Sequence, residues 1–161
     1  MPALDQTGAI KNQWYVARDD EDFDQIRPTI VTLARFLSGP EQYVGVLLSG
    51  DADLDRIGAP LHSLERIGLT FSTFKDGRPF SLARLLRSRY GFRGDLRAYG
   101  AFIPDQGAFL VRCGFTSFDV LDGFDIAALQ KSIKHFTNVY QRPYGTAASI
   151  IASRLSRGHL P

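Results

Sequence analysis

The stretch Leu69–Arg87, LTFSTFKDGRPFSLARLLR, passes from strand-forming residues through a tight turn into a helix. Leu69 to Phe74 is rich in residues that favour extended backbone. Asp76-Gly77 offers a tight turn, Pro79 suits a first helical turn, and Ser81 lies in that turn. Leu82, Leu85 and Leu86 then fall on one helical face, with Ser81, Arg84, Arg87 and Ser88 on another. A strand handing over directly to an amphipathic helix is one βα unit, and the fold depends on how often the unit repeats.

Three further units are legible around it. YVGVLL (Tyr43–Leu48) is a continuous apolar run, as expected for a strand covered on both faces. Leu54, Ile57, Leu61 and Leu64 follow at helical spacing, interrupted by Gly58–Pro60, with Gly68 placed to cap that helix. LRAYGAF (Leu96–Phe102) is the third strand, and a short helix runs from Pro104 until Gly114 stops it. SFDVL (Ser117–Leu121) is the fourth, followed by a helix bearing Ile126, Leu129, Ile133, Phe136 and Tyr140.

About four βα units imply an α/β fold with parallel strands joined by right-handed crossovers. The sheet is either open and doubly wound or half of a β/α barrel, since a full barrel needs roughly 250 residues. The open sheet is favoured here, because a half-barrel leaves its inner face uncovered. The expected organisation is one α/β domain over 1–161. Residues 1–40 are an N-terminal extension, 43–141 the βα core and 142–161 a tail. In the extension, PTIVTLARFL (Pro28–Leu37) reads as a short helix, with Ile30, Leu33 and Leu37 on one stripe. DDEDFD (Asp19–Asp24) reads as a solvated acidic loop, and TAASIIASRL in the tail as a last helix.

Bulk properties exclude several classes. A formal net charge of +2 over 161 residues is too small to mark a nucleic-acid binder. No apolar run approaches the roughly 20 residues that cross a bilayer, and the N-terminus lacks a signal-peptide pattern, so a cytoplasmic protein without membrane partners is expected. Cys113, the single cysteine, rules out an internal disulfide. It precedes a helix-stopping glycine, where the dipole disfavours a thiolate, so a buried, inert thiol is expected. His62, His135 and His159 lack zinc-type spacing. Walker A, nucleophile-elbow and Rossmann patterns are absent, and neither metal nor cofactor is expected.

In parallel α/β folds ligands bind outside the carboxyl ends of the strands, where helix N-termini present unpaired N–H groups. The groups expected at that edge are Ser49, Asp51 and Asp53, then Lys75, Asp76 and Arg78, then Asp105 and Gln106, and Asp122. Lys75 and Arg78 flank a helix N-terminus, a natural place to hold phosphate, sulfate or carboxylate. Arg97 stands inside an otherwise apolar strand, so an inward orientation demands a carboxylate or a bound anion, with Asp76 and Asp122 as candidate partners. The anion-binding candidates are therefore Lys75, Arg78, Arg97 and Gln106. Asp76 and Asp105 are the candidates for proton transfer. Capping alone accounts for Asp76, and the dipole alone favours Asp105 at its helix start.

Several motifs in fixed order carry a likeness. F-x-x-F-x-DGR-x-x-SLARLLR from Phe71, G-x-LRA-x-G from Gly94, Asp105-Gln106, and RCGF (Arg112–Phe115) resemble an uncharacterised bacterial family, domain of unknown function 934. The likeness covers roughly residues 30–141. Genes of that family often lie beside those for sulfite reductase, which implies a role in sulfate assimilation and sulfite-assimilation enzymes as partners. The resemblance implies an accessory protein that works by contact. An alternative is a small enzyme, oxidoreductase being a label some members carry, acting on an anionic sulfur-containing or phosphorylated metabolite. A third is a module that forms a homodimer. Two positions depart from the family pattern: Ala101 replaces an acid after Gly100, and Pro79 replaces a small residue.

Overall fold

Two central segments, RIGLTF and DLRAYG, alternate large apolar residues with polar or small ones, and that alternation gives the sheet two unlike faces. The computed structural model describes residues 3–7, 10–11, 14–17, 29–39 and 43–135. Its strands are β1 (Ala3–Asp5), β2 (Ile10–Lys11), β3 (Tyr15–Val16), β4 (Thr29–Thr32), β5 (Gly45–Ser49), β6 (Arg66–Phe71), β7 (Asp95–Gly100) and β8 (Ser117–Asp119). Its helices are α1 (Leu33–Ser38), α2 (Arg78–Ser88), α3 (Gly107–Cys113) and α4 (Ile126–His135).

Among the described residues the sheet order is β2-β1-β8-β7-β6-β5-β4-β3. From β3 to β8 each strand lies beside its predecessor in the chain and parallel to it. A doubly wound sheet reverses its order at a switch point. From β4 to β8 the order never reverses, so right-handed crossovers carry those connections to one face. The result is a curled half-barrel, the alternative that the sequence disfavoured. β1 closes the β8 edge in antiparallel register, with Leu4 opposite Phe118.

The outer face makes the core. Val46, Leu48, Ile67, Leu69, Phe71, Leu96, Ala98 and Phe118 are buried together with Phe36, Phe80, Leu86, Leu110 and Leu129 of the helices. Register puts Gly45, Arg66 and Asp95 in one row of the opposite face, and Leu47, Gly68, Arg97 and Ser117 in the next.

Local chemistry explains where the sequence expectation missed. The β-branched run TIVT forms β4 rather than helix, and only at Leu33 does α1 begin, with Thr32 Oγ1 accepting from the Arg35 N–H at 3.3 Å. Leu54–Leu64 is two 3-10 turns, Leu54–Arg56 and Ala59–Ser63, broken by Gly58 at φ 61°. Gly68 caps no helix. It lies inside β6, where an added Cβ would meet Leu47 Cδ1 and the Tyr99 ring at 2.7 Å. The helix after β7 begins as the 3-10 turn Pro104–Gln106 and ends at Gly114, φ 105°, as its glycine implies. Cys113 is buried, and burial pushes its thiol up. The acidic segment Asp19–Asp24, Phe136, Tyr140, His159 and the tail lie outside the described residues.

Arg87 ties the helical layer to the sheet. Its Nε and Nη2 donate to the Gly114 carbonyl at 3.0 and 2.8 Å. Its Nη1 donates to the carbonyls of Phe92 and Gly94 at 2.8 and 2.9 Å. Arg87→Met keeps much of the apolar stem but leaves these carbonyls without their donor, so we expect a loss of about 3 kcal/mol in urea denaturation. A loss below about 1 kcal/mol would show that water replaces the guanidinium there.

Candidate functional site

Two polar centres emerge, one at the expected carboxyl edge and one on the inner face of the sheet. At the carboxyl edge, the turn after β6 folds Asp76 back onto the start of α2. Asp76 Oδ1 accepts from the Arg78 backbone N–H at 3.1 Å, an Asx turn that leads into the helix, whose N-cap position is Gly77. The Arg78 side chain grips the same carboxylate in a fork, Nε to Oδ1 and Nη2 to Oδ2, both at 2.9 Å. Ser72 Oγ donates to Asp76 Oδ2 at 3.0 Å, and Asp51 stands 3.9 Å from Arg78 Nη1. These hydrogen bonds, led by Arg78, hold the Asp76 carboxyl far below the usual carboxylate range, and the pairing raises the Arg78 guanidinium. Asp76 is thus an anion near neutral pH, and Arg78 already has two carboxylates for company.

Gln106 reaches into the same edge. Its Nε2 donates to the Phe74 carbonyl at 2.8 Å, and its Oε1 accepts from the Ile103 N–H at 3.1 Å. The side chain therefore pins the loop after β7 to the loop after β6. Lys75 is exposed, its ammonium 5.6 Å from the Phe74 ring centroid. Asp105 is exposed, and its carbonyl accepts from Ser132 Oγ at 3.0 Å, joining this loop to α4. Asp53 caps a 3-10 turn, and Asp122 is exposed in the turn after β8.

Arg97 lies elsewhere. It points to the inner face, is 1% exposed, and pairs with neither Asp76 nor Asp122. Its Nε donates to Ser117 Oγ at 2.9 Å and its Nη2 to Asp95 Oδ2 at 3.4 Å. Asp95 is the hub. Its Oδ2 also accepts from Arg66 Nε at 2.6 Å, while Oδ1 accepts from Thr116 and Ser117 hydroxyls at 2.6 and 2.7 Å. Burial acts to raise this carboxyl, but those hydroxyls and the two guanidinium charges outweigh it and bring it below its ordinary value. Burial lowers Arg66 against the pull of Asp95.

Trp14 completes one side of the inner face. Its ring lies 4.2 Å from the Arg66 guanidinium carbon, and it approaches so near Gly45 that a Cβ there would stand 2.9 Å from Cζ3. Tyr99, 8% exposed, lays its ring over Gly68. Burial pushes its hydroxyl up to about 12, opposed by Arg97, and Arg66 and Asp119 act on it as well. Two buried donors of this face, Arg66 Nη1 and the Tyr99 hydroxyl, find no acceptor among the described residues. A buried donor left so costs about 1–3 kcal/mol.

Arg66, Asp95, Tyr99 and Trp14 were not singled out by sequence. The signal was present: Arg66, Gly68 and Thr70 alternate with Ile67, Leu69 and Phe71, as Asp95, Arg97 and Tyr99 do with Leu96 and Ala98. Such period-2 alternation in parallel strands means that one face is not apolar.

The fold and its two centres define a parallel α/β half-barrel protein with a polar inner face. The sequence matches the family model described as "Bacterial protein of unknown function (DUF934)" over residues 45–151, and the chain belongs to that family. No curated protein matches the sequence.

The Asp76 carboxylate supplies a pH test. A carboxyl depressed in the folded state stabilises fully above its unfolded value of about 3.9, and that stabilisation is lost as pH falls towards the folded value. Melting temperatures between pH 7 and pH 2 should therefore fall less in Asp76→Asn than in the parent. Parallel curves would show that Asp76 has the same affinity for protons folded and unfolded.

Proposed function

We propose that this protein works by contact, as an accessory protein of assimilatory sulfite reduction docking on the reductase or its electron donor. The link to sulfite reduction comes from the family resemblance and its gene neighbourhood. The observation that carries docking is a surface formed by α2 and α3. Phe109 is 42% exposed there, its ring 4.6 Å from Phe80 and 5.8 Å from the Arg112 guanidinium carbon. Arg84 and Arg112 both act electrostatically on Cys113, which locates them at the seam of the two helices. Residues 77–94 and 106–118 contain no aspartate or glutamate. An exposed phenylalanine, backed by the buried Phe80 and set among arginines with no acid in either segment, suits an acidic partner surface.

The alternative, an enzyme acting on an anionic metabolite at the strand carboxyl ends, has less support. Its cation, Arg78, is neutralised by Asp76 and Asp51, and its candidate acid, Asp76, is held as a carboxylate.

Tagged full-length protein, expressed in cells growing on sulfate, should retain a sulfite-assimilation enzyme, with binding that weakens as salt rises. Phe109→Ala should weaken the complex about tenfold, and charge reversal at Arg84 and Arg112 should slow association. Repeated pull-downs that recover none of these enzymes would sink the proposal.

A further inference from the structure

We infer that the inner face between β6, β7 and β8 is a binding site for a small oxyanion, held by Arg66, Arg97 and Tyr99. The argument is one of hydrogen-bond valence. A carboxylate offers about four lone-pair sites. Those of Asp95 are taken by Arg66, Arg97, Thr116 and Ser117. What remains on this face is donor capacity: Arg66 Nη1 and the Tyr99 hydroxyl proton, both buried and with no acceptor among the described residues, although Arg97 stands near enough to donate weakly towards Tyr99 Oη.

Both donors belong to the inner face. Tyr99 lies within electrostatic reach of Arg66 and Arg97, on the strand beside Arg66. The residues are more than nine-tenths buried: Arg66 is 6%, Arg97 1% and Tyr99 8% exposed. Asp119, the other carboxyl of these three strands facing inward, is half-buried; burial raises its carboxyl and the Arg97 charge lowers it. Among the described residues both guanidiniums make their ion pairs with the one fully engaged carboxylate of Asp95. A ligand that completes the set must accept hydrogen bonds and carry negative charge, which describes sulfate, sulfite and phosphate alike. A cation would meet two arginines, and a neutral molecule would gain nothing from their charge.

This site uses neither the carboxyl edge nor the α2–α3 surface, and its test requires no partner protein. Full-length protein is titrated with sulfate, sulfite and phosphate, against chloride at matched ionic strength, by calorimetry and thermal melting. At least one oxyanion should raise the melting temperature beyond chloride, in a concentration-dependent way. Tyr99→Phe should bind that anion about tenfold more weakly. The same variant, without anion, should melt at or above the parent temperature, because no group among the described residues accepts the proton of the hydroxyl it removes. Arg66→Lys should also bind more weakly; if it fails to fold, Tyr99→Phe decides alone. The inference is overturned if no oxyanion acts beyond chloride, if Tyr99→Phe binds like the parent, or if Tyr99→Phe melts well below the parent without anion.

Discussion

The carboxylate of Asp95 is the contact on which the arrangement of the sheet turns. It stands at the start of β7 and receives donors from β6, from β7 itself, and from Thr116 and Ser117 at the entry to β8. A buried charge is tolerated only when paired and hydrogen-bonded, and here each condition is met by a different strand. The same hydroxyl that donates to Asp95, that of Thr116, accepts from the Leu96 N–H at 2.9 Å. Side-chain bonding thus continues the ladder where backbone pairing between β7 and β8 begins, at Arg97 and Ser117. Because Arg66, Arg97 and Ser117 are buried, their polar groups must be met by one another, and Asp95 is where they meet.

Much of the fold was legible because its signals are local. Asp76, Gly77 and Pro79 set the start of α2, and Gly114 set the end of α3 where a left-handed residue is required. Helical spacing identified Leu82, Leu86, Leu129 and Ile133 as packing positions. Leu85, expected on the same face as Leu82, is instead exposed, and Arg87, expected on the polar face, is buried because it reaches three backbone carbonyls. The winding was not legible, since doubly wound and singly wound sheets share the same succession of strands and helices. Their difference is the neighbour each strand chooses, which depends on long-range packing. The weight placed on YVGVLL as a strand covered by apolar layers on both faces hid the alternation in β6 and β7.

The site residues divide by the same logic. Lys75, Asp76, Arg78, Asp105 and Gln106 were placed at the carboxyl edge by the rule for parallel sheets, and there they lie. Gln106 even bridges two of the loops. What sequence could not supply was the ion pairing: two residues of separation between Asp76 and Arg78 does not reveal that one grips the other. Arg97 was marked by its conflict with its strand, and the conflict is resolved on the opposite face through a carboxylate only two residues away. A partner so near in sequence escapes notice because residues two apart in a strand share a face.

Arg87 gives the outer surface a property of its own. By bonding to the carbonyls of Phe92, Gly94 and Gly114 it fixes α2 to the end of α3 and to the loop that enters β7. The stripe Ser81, Arg84, Leu85 and Ser88 on the far side of that helix is therefore presented on a platform with few internal degrees of freedom. A surface held in this way would lose side-chain rotamers on any association but little backbone entropy. The stiffness of the outer helix is thus set by a residue buried beneath it.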